Sequence, residues 1–363
     1  MDLLKWVKVM DQKMTSLRVE PNLCAHLISP KSTCQSCVDH CPTKSISFSK
    51  KQIEIDDHCL ECGLCSTVCP TNALLFNRPP LNQVISELVH LCEQNKIVYL
   101  HCEKMTVSDR DVTTLTVPCL GMIPREAWIT VLNKCQNLTI YHSDTSCTSC
   151  EITTGERVWK KELHAGEKMA GSSIEITSDI TYSAKHKSFD QDRRAFLSGF
   201  FNEIKATNKL AIKELLGSSE VSSYQERRQE NTHSKVKREL AGVSHHLYEK
   251  MTGESALPYM NKRFFLLTQL EENETLQKQK DIRLPTITDD CNFCGACTIL
   301  CPTAALKMDT DNNRKSITLD PAKCVDCSLC EDICFTKSIQ LQHMQNRTLL
   351  KKEQRLLVKG SNQ

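Results

Sequence analysis

The sequence lacks the patterns that many enzymes and membrane proteins require. It contains no glycine-rich phosphate-binding loop and no nucleophile elbow, so it offers no candidate residues for those two kinds of substrate chemistry. No run approaches the roughly 18 apolar residues of a membrane-spanning helix. The formal net charge is only +2 over 363 residues, which creates no field to attract nucleic acid or a membrane surface.

The remaining composition is that of a globular protein with two or three domains. Charged residues make up 25% and hydrophobic residues 40% of the chain. The segment MDLLKWVKVMDQKM at the N-terminus is charged throughout and has no apolar core, so we expect no signal peptide.

Cysteine is the abundant residue, with 22 in the chain. Three runs have the spacing C-x2-C-x2-C-x3-C: CLECGLCSTVC from Cys59, CNFCGACTILC from Cys291, and CVDCSLCEDIC from Cys324. A fourth run, Cys34-x2-Cys37-x3-Cys41, departs from it and is preceded by Cys24. Closely spaced thiolates select zinc or iron–sulfur clusters, and this spacing is that of bacterial two-cluster ferredoxins, which both ends of the chain resemble.

The spacing also predicts which cysteines share a cluster. The first three cysteines of a run bind one cube, and the fourth points to the neighbouring cube, so runs work in pairs. The predicted 4Fe-4S ligand sets are Cys59, Cys62, Cys65 with Cys41; Cys291, Cys294, Cys297 with Cys334; Cys324, Cys327, Cys330 with Cys301; and Cys34, Cys37, Cys69 with Cys24.

The Cys24 set has an alternative. Lys31 occupies the expected first position and cannot serve, so we interpret residues 25–31 as an insertion after Cys24. Otherwise Cys34, Cys37 and Cys69 would hold a 3Fe-4S cluster and Cys24 would be free. For all four runs the competing interpretations are disulfides and structural zinc. The chain is too long for a small disulfide scaffold, and zinc favours paired C-x2-C knuckles.

Residues 80–180 predict an α/β unit in which strands alternate with helices, which favours a parallel sheet. Helices are predicted over 81–96, 124–135 and 151–163, and strands over 97–100, 113–117, 138–141 and 173–177. Cys102, Cys119, Cys147 and Cys150 follow predicted strands. Because carboxyl ends of parallel strands share one edge, these four thiols are expected to converge there.

This region resembles the delta subunit of methyl-viologen-reducing hydrogenase over roughly residues 95–180. The resemblance rests on Ile97 to Cys102, the step Pro-Cys119-Leu-Gly121-Met-Ile-Pro124, and Cys147-x2-Cys150. It implies a 2Fe-2S cluster on Cys102, Cys119, Cys147 and Cys150, and electron transfer between a hydrogenase and heterodisulfide reductase. Structural zinc or a redox dithiol at Cys147 and Cys150 are the alternatives.

Two cysteines and a long segment stand apart from these sites. Cys92 and Cys135 lie on predicted helices and are interpreted as core residues. Residues 182–285 contain no cysteine, and the polar stretch 225–236 is typical of a linker. Helices are predicted over 193–216 and 258–276, with residues 263–267 packing against the α/β unit or a partner protein.

The predicted fold class is α+β, with two ferredoxin-like dicluster domains flanking a small α/β parallel-sheet domain and a helical linker. The predicted boundaries are 18–78 and 282–345 for the dicluster domains, 80–180 for the α/β domain and 182–280 for the linker. The predicted function is electron transfer between redox partner proteins in the cytoplasm, where thiols stay reduced. A disulfide reductase using the central cysteines and a redox sensor are the alternatives.

Overall fold

The computed structural model describes residues 16–49, 52–105, 107, 112–180, 261–311 and 314–360. The predicted helix over 193–216 and the predicted linker stretch over 225–236 lie outside these residues. No helix in the described part of the chain is both long enough and apolar enough to cross a bilayer.

The N-terminal cysteine-rich segment folds as two interlocked halves. Its strands are β1 (Leu17–Val19), β2 (Ile46–Ser49), β3 (Gln52–Ile55) and β4 (Leu74–Phe76). Its helices are α1 (Ala25–Ile28), α2 (Ser36–His40) and α3 (Leu64–Val68). Strand β1 pairs antiparallel with β4, and β2 forms a hairpin with β3. Because the first strand pairs with the last, the two cysteine loops face each other inside the module.

The central segment is the predicted parallel sheet. Its strands are β5 (Val98–Cys102), β6 (Thr114–Val117), β7 (Leu138–Tyr141) and β8 (Glu175–Thr177). Its helices are α4 (Leu81–Gln94), α5 (Arg125–Lys134), α6 (Asp144–Thr148) and α7 (Gly155–Ala170). The strand order is β6-β5-β7-β8 with every pair parallel. Leu88, Leu100, Trp128 and Ile140 are fully buried and form the core between sheet and helices.

Two features of the central segment differ from the sequence prediction. The last helix begins at Gly155 rather than near 151 and continues to Ala170, where Gly171 ends it in a left-handed conformation. The short helix α6, which contains Cys147, was not predicted, because one turn of Ser, Thr and Asp residues has no apolar periodicity.

Helix α8 (Asn261–Glu272) connects the central segment to the C-terminal module. It packs against α5, and its buried Leu266 and Leu270 share a core cluster with Ile129 of α5 and Leu284 of the C-terminal module. The prediction that residues 263–267 pack against the α/β unit is therefore confirmed. Helix α9 (Glu274–Lys278) follows, and the Asn273 side chain caps it by accepting from the Leu276 N–H at 2.9 Å.

The C-terminal module repeats the pairing of the N-terminal one. Its strands are β9 (Ile282–Ile287), β10 (Leu306–Asp311), β11 (Arg314–Leu319), β12 (Ile339–Met344) and β13 (Gln354–Gly360). Its helices are α10 (Ala296–Ile299) and α11 (Leu329–Asp332). Strand β9 pairs with β12, and β10 forms a hairpin with β11, to which β13 adds a third strand. The two cysteine-rich ends of the chain thus share the same strand pairing.

Candidate metal centres

All 22 cysteines are free thiols, and all but Cys92 and Cys135 fall into five groups of four. We number the groups in the order in which they follow one another through the fold. Site I is Cys102, Cys119, Cys147 and Cys150; site II is Cys41, Cys59, Cys62 and Cys65; site III is Cys24, Cys34, Cys37 and Cys69; site IV is Cys301, Cys324, Cys327 and Cys330; site V is Cys291, Cys294, Cys297 and Cys334.

A repeated backbone hydrogen bond crosses the two halves of each module at sites II to V. In every case an N–H three or four residues before the first cysteine of one run donates to the carbonyl four residues after the last cysteine of the other. The pairs are Asp56 to Ser45 (3.0 Å), Glu20 to Ala73 (2.7 Å), Asp320 to Ala305 (2.8 Å) and Thr288 to Ser338 (2.9 Å), at sites II to V respectively. This bond holds the end of one run beside the start of the other within each module, which is compatible with the predicted crossed ligand sets.

The thiols within a site are close enough for their charges to interact. Burial raises the pKa of Cys37 to about 12, and the neighbouring Cys69, Cys24 and Cys34 of site III add to the shift. Burial likewise raises the pKa of Cys297 to about 12, with contributions from Cys291, Cys294 and Cys334 of site V. Four buried thiolates stay together only when a cation compensates their charge, and metal ligation deprotonates a thiol outright.

At sites II and IV, burial and neighbouring thiols also raise cysteine pKa values. At site II, burial raises the pKa of Cys62 to about 11, and Cys59 and Cys41 add to the effect. At site IV, burial raises the pKa of Cys324 to about 11, and Cys301 adds to it. Cys41 and Cys301, each the last cysteine of its own run, therefore lie near the other run of the same module.

The three regular runs share one loop conformation. The residues immediately before and after the second cysteine have positive φ angles: Glu61 and Gly63, Phe293 and Gly295, and Asp326 and Ser328. Left-handed residues on both sides reverse the chain tightly, so three successive thiols point to the same side. The run at site III lacks this signature, consistent with its different spacing.

A threonine follows the last cysteine of every run, two residues on. The thiol–hydroxyl distances are 3.6 Å for Cys41 and Thr43, 3.6 Å for Cys69 and Thr71, 3.7 Å for Cys301 and Thr303, and 3.6 Å for Cys334 and Thr336. Hydrogen bonds to cluster sulfurs are one of the levers that set reduction potential. Sequence reasoning missed these residues, although the repeated Cys-x-Thr pattern was available to find them.

Cys24 occupies the same structural position in the N-terminal module as Cys324 in the C-terminal one. Each follows a 3-10 turn that begins with proline, and each N–H donates to that proline's carbonyl at 3.1 Å. Residues 25–31, which separate Cys24 from the rest of its run, include the one-turn helix α1. Cys24, Cys34, Cys37 and Cys69 together line a pocket with about 320 Å³ of space, part of it open to solvent.

Site I forms at the carboxyl edge of the parallel sheet. Cys102 ends β5, Cys119 follows β6, and Cys147 and Cys150 lie on and just after α6. Burial raises the pKa of Cys119 to about 12, and Cys62 of site II, Cys102 and Cys147 contribute to the shift. The Cys119 thiol also accepts from the Gly121 N–H at 3.4 Å. Cys102 and Cys147 thus lie near Cys119 at this edge, and Cys150 lies near Cys147.

The donor set and its spacing fit a cluster better than a single ion. Thiolates are the soft ligands that iron–sulfur clusters use. Structural zinc favours paired C-x2-C knuckles separated by a longer loop. Three of the runs here have the C-x2-C-x2-C-x3-C spacing that iron–sulfur clusters use.

Comparison with known proteins identifies both cysteine-rich ends. Residues 32–73 and residues 290–338 each match a family model described as a 4Fe-4S dicluster domain. The chain carries a dicluster domain at each end. These are iron–sulfur, metal-binding domains of electron transport. A 40-residue stretch is also 45% identical to "Ferredoxin 7Fe" of Hydrogenibacillus schlegelii, which covers 11% of this chain.

That match covers 51% of the bacterial ferredoxin, so the chain spans about half the length of the curated relative it matches. No solved structure matches the chain. Cys24 lies just outside the matched part of the N-terminal dicluster domain, and site I lies outside both matched segments. We therefore place Cys24 in site III because it occupies the same structural position as Cys324.

The five sites follow one another in a row. Cys119 of site I and Cys62 of site II share a buried cluster with Leu64, and Gly121 permits this approach because a Cβ there would lie 2.3 Å from Leu64 Cδ2. Burial raises the pKa of Cys65 at site II, and Cys37 and Cys69 of site III add to it.

Sites III and IV meet where the two dicluster domains contact each other. Cys34 and Cys327 pack around the same buried residues, Ala25, Leu329 and Ile333. The row ends with sites IV and V, where burial raises the pKa of Cys330 and Cys297 of site V adds to the shift. Each site thus lies near the following one along the row.

Cys92 and Cys135 belong to none of these sites. They lie at the ends of α4 and α5, are 7% and 3% exposed, and belong to the main core cluster. The prediction that both are core residues is confirmed.

Proposed function

We propose that the protein is an electron relay in which sites II to V hold four 4Fe-4S clusters and site I holds a further, two-iron cluster. An iron–sulfur cluster, when bound, supplies reversible one-electron exchange at a potential set by its surroundings. The chain's own residues supply the thiolates and keep neighbouring sites in contact. The row of five adjacent sites is the observation that carries the proposal.

The junction between the two dicluster domains supports a single continuous path. The N–H and the hydroxyl of Thr33 both donate to Asp332 Oδ2, at 2.8 and 3.0 Å. Thr33 precedes Cys34 of site III, and Asp332 lies on α11 beside site IV. Helix α1, formed by the inserted residues, contributes Ala25 to the same contact. The insertion that makes the N-terminal run irregular thus builds the surface that joins the domains.

Site I lies at one end of the row and site V at the other, which makes them the natural points of electron entry and exit. The resemblance of the central segment to the hydrogenase delta subunit suggests a hydrogenase-type oxidoreductase as partner at site I. Cys294 of site V is the exposed cysteine of the set, so a second redox protein can approach closely there. Free thiols in this number require a reducing compartment such as the cytoplasm.

The direct test is the iron and acid-labile sulfide content of protein purified without oxygen, together with its EPR spectrum after reduction. We expect about 18 iron atoms per chain, from four four-iron clusters and one two-iron cluster. Spin–spin broadening of the reduced clusters should report their proximity. Colourless protein that contains only zinc would end the relay proposal.

Loss of the Thr33–Asp332 contact should slow electron passage between the two dicluster domains. Asp332→Ala removes two hydrogen bonds to a carboxylate, which we expect to weaken the domain contact by about 1 kcal/mol. Stopped-flow reduction should then separate into a fast and a slow phase, with unchanged iron content. The control is Asp309→Ala on the exposed face of β10. Equal kinetics in the two variants would contradict the assigned path.

A further inference from the structure

Two adjacent cationic residues at the start of α8 lie between sites III and IV. The Lys262 Nζ donates to the carbonyl oxygens of Thr67 and Cys69, at 2.7 and 2.6 Å. Cys69 is a site III cysteine. The Arg263 guanidinium donates from Nη2 to the carbonyl oxygen of Cys324, a site IV cysteine. One helix therefore directs one cation to each of the two sites that join the dicluster domains.

The positive charges at this position are only partly balanced by carboxylates. Glu162 lies near Lys262, but it already forms a two-pronged ion pair with Arg125, with distances of 2.9 and 2.6 Å. Asp326 lies near Arg263, but it is paired with Arg283 at 2.9 Å. Glu126 lies near both cations. Glu162 and Asp326 are each paired with another arginine, which leaves Glu126 to balance the two positive charges.

Both side chains are half-buried against the neighbouring domains. Burial lowers the pKa of Lys262 and of Arg263, while the thiolates of Cys69 and Cys324 act in the opposite direction. Low surrounding polarity strengthens the interaction between a fixed charge and a nearby one. A change of charge at site III or IV therefore alters the interaction energy with these two cations more than it would if the cations were fully exposed.

We propose that Lys262 and Arg263 raise the reduction potentials of sites III and IV, respectively. This inference rests on the proposed electron relay. Reduction adds one negative charge to a cluster, and a fixed positive charge nearby stabilises the reduced form more than the oxidised form. Because each junction site has one such cation, both potentials rise, and neither site is made a much weaker electron acceptor than the other by these charges.

The test is an EPR-monitored potentiometric titration of the full-length, iron-loaded protein and its variants. Lys262→Gln should lower one midpoint potential, Arg263→Gln should lower a different one, and the double variant should lower both. Lys262→Arg and Arg263→Lys keep the charge and should restore the potentials most of the way. Lys278→Gln, on the exposed end of α9 away from the cysteines, is the matched control and should shift nothing.

The outcomes separate this inference from the relay itself. Wild-type protein without 4Fe-4S signals would overturn the relay, and this inference with it. Normal signals with unchanged midpoints in both glutamine variants would overturn the inference alone. If the glutamine variants lose the iron of sites III and IV and the charge-keeping variants retain it, the cations are needed to balance cluster charge, which supports the proposal. Loss of iron in all four variants would mean a purely structural role and would overturn it.

Discussion

Removal of iron and sulfide is expected to unfold most of both dicluster domains and to leave the central sheet folded. Each domain has strands of three to seven residues and helices of one turn, and its loops are ordered around two groups of four cysteines. Ligation of a structural metal contributes on the order of 10 kcal/mol to folding in small metal-binding domains. Without it, the buried thiols at sites II to V lose the interaction that offsets the entropy of ordering their loops.

The central segment provides the internal contrast. Its sheet is held by fully buried apolar residues such as Leu100 and Ile140, which need no metal. Strand β4 and helix α3 should also keep part of their structure, because Leu64 and Leu74 are fully buried and Leu64 packs against the central segment.

Amide hydrogen exchange of the iron-free and reconstituted protein would measure this difference. We expect amides of the cysteine loops and of β9 to β12 to exchange orders of magnitude faster without iron, and amides of β5 and β7 to change little. Circular dichroism should lose strand signal in parallel. Identical exchange and spectra with and without iron would show that the domains fold independently of their clusters.

Replacement of Cys24 by serine is expected to remove the cluster at site III. The equivalence of Cys24 to Cys324 makes it the first ligand of that site, and a hydroxyl is a much poorer ligand for iron than a thiolate. We expect iron content to fall by about four atoms, or by about one if a three-iron form survives. Reduction across the domain junction should also slow, since site III lies in the middle of the row.

Cys92→Ser is the matched control. Cys24 and Cys92 are both 7% exposed, so the two substitutions place a hydroxyl in equally buried positions. Cys92 lies in the core at the end of α4 and belongs to none of the five sites, so its replacement should leave the iron content unchanged. If both variants keep the full iron content, Cys24 is not a ligand.

The cysteine runs and the parallel sheet could be predicted from the sequence because both depend on short-range patterns. A C-x2-C-x2-C loop places three thiols together within a few residues, whatever the rest of the chain does. The alternation of apolar strands and helices over 80–180 likewise reflects local periodicity. Strand β13 was missed because its three apolar residues lie in a row between Arg355 and Lys359 and show no alternation, and helix α6 was missed because it is a single polar turn.

The roles of Lys262 and Arg263 could not be predicted for a different reason. In the sequence they are two cations within a predicted helix, and only its apolar residues indicated that it packs against another part of the protein. Lys262 contacts Thr67 and Cys69, which are nearly 200 positions away. No local pattern records such a contact.

The sequence by itself determined which thiols are candidates for each cluster, because ligand spacing is a property of a loop of about a dozen residues. Only the tertiary structure decided that the candidates form one row. That order depends on contacts such as Thr33 with Asp332, whose partners are 299 residues apart and are brought together by the packing of separate modules. Loop geometry is encoded locally, whereas the distance between clusters is set by how the modules fit against each other.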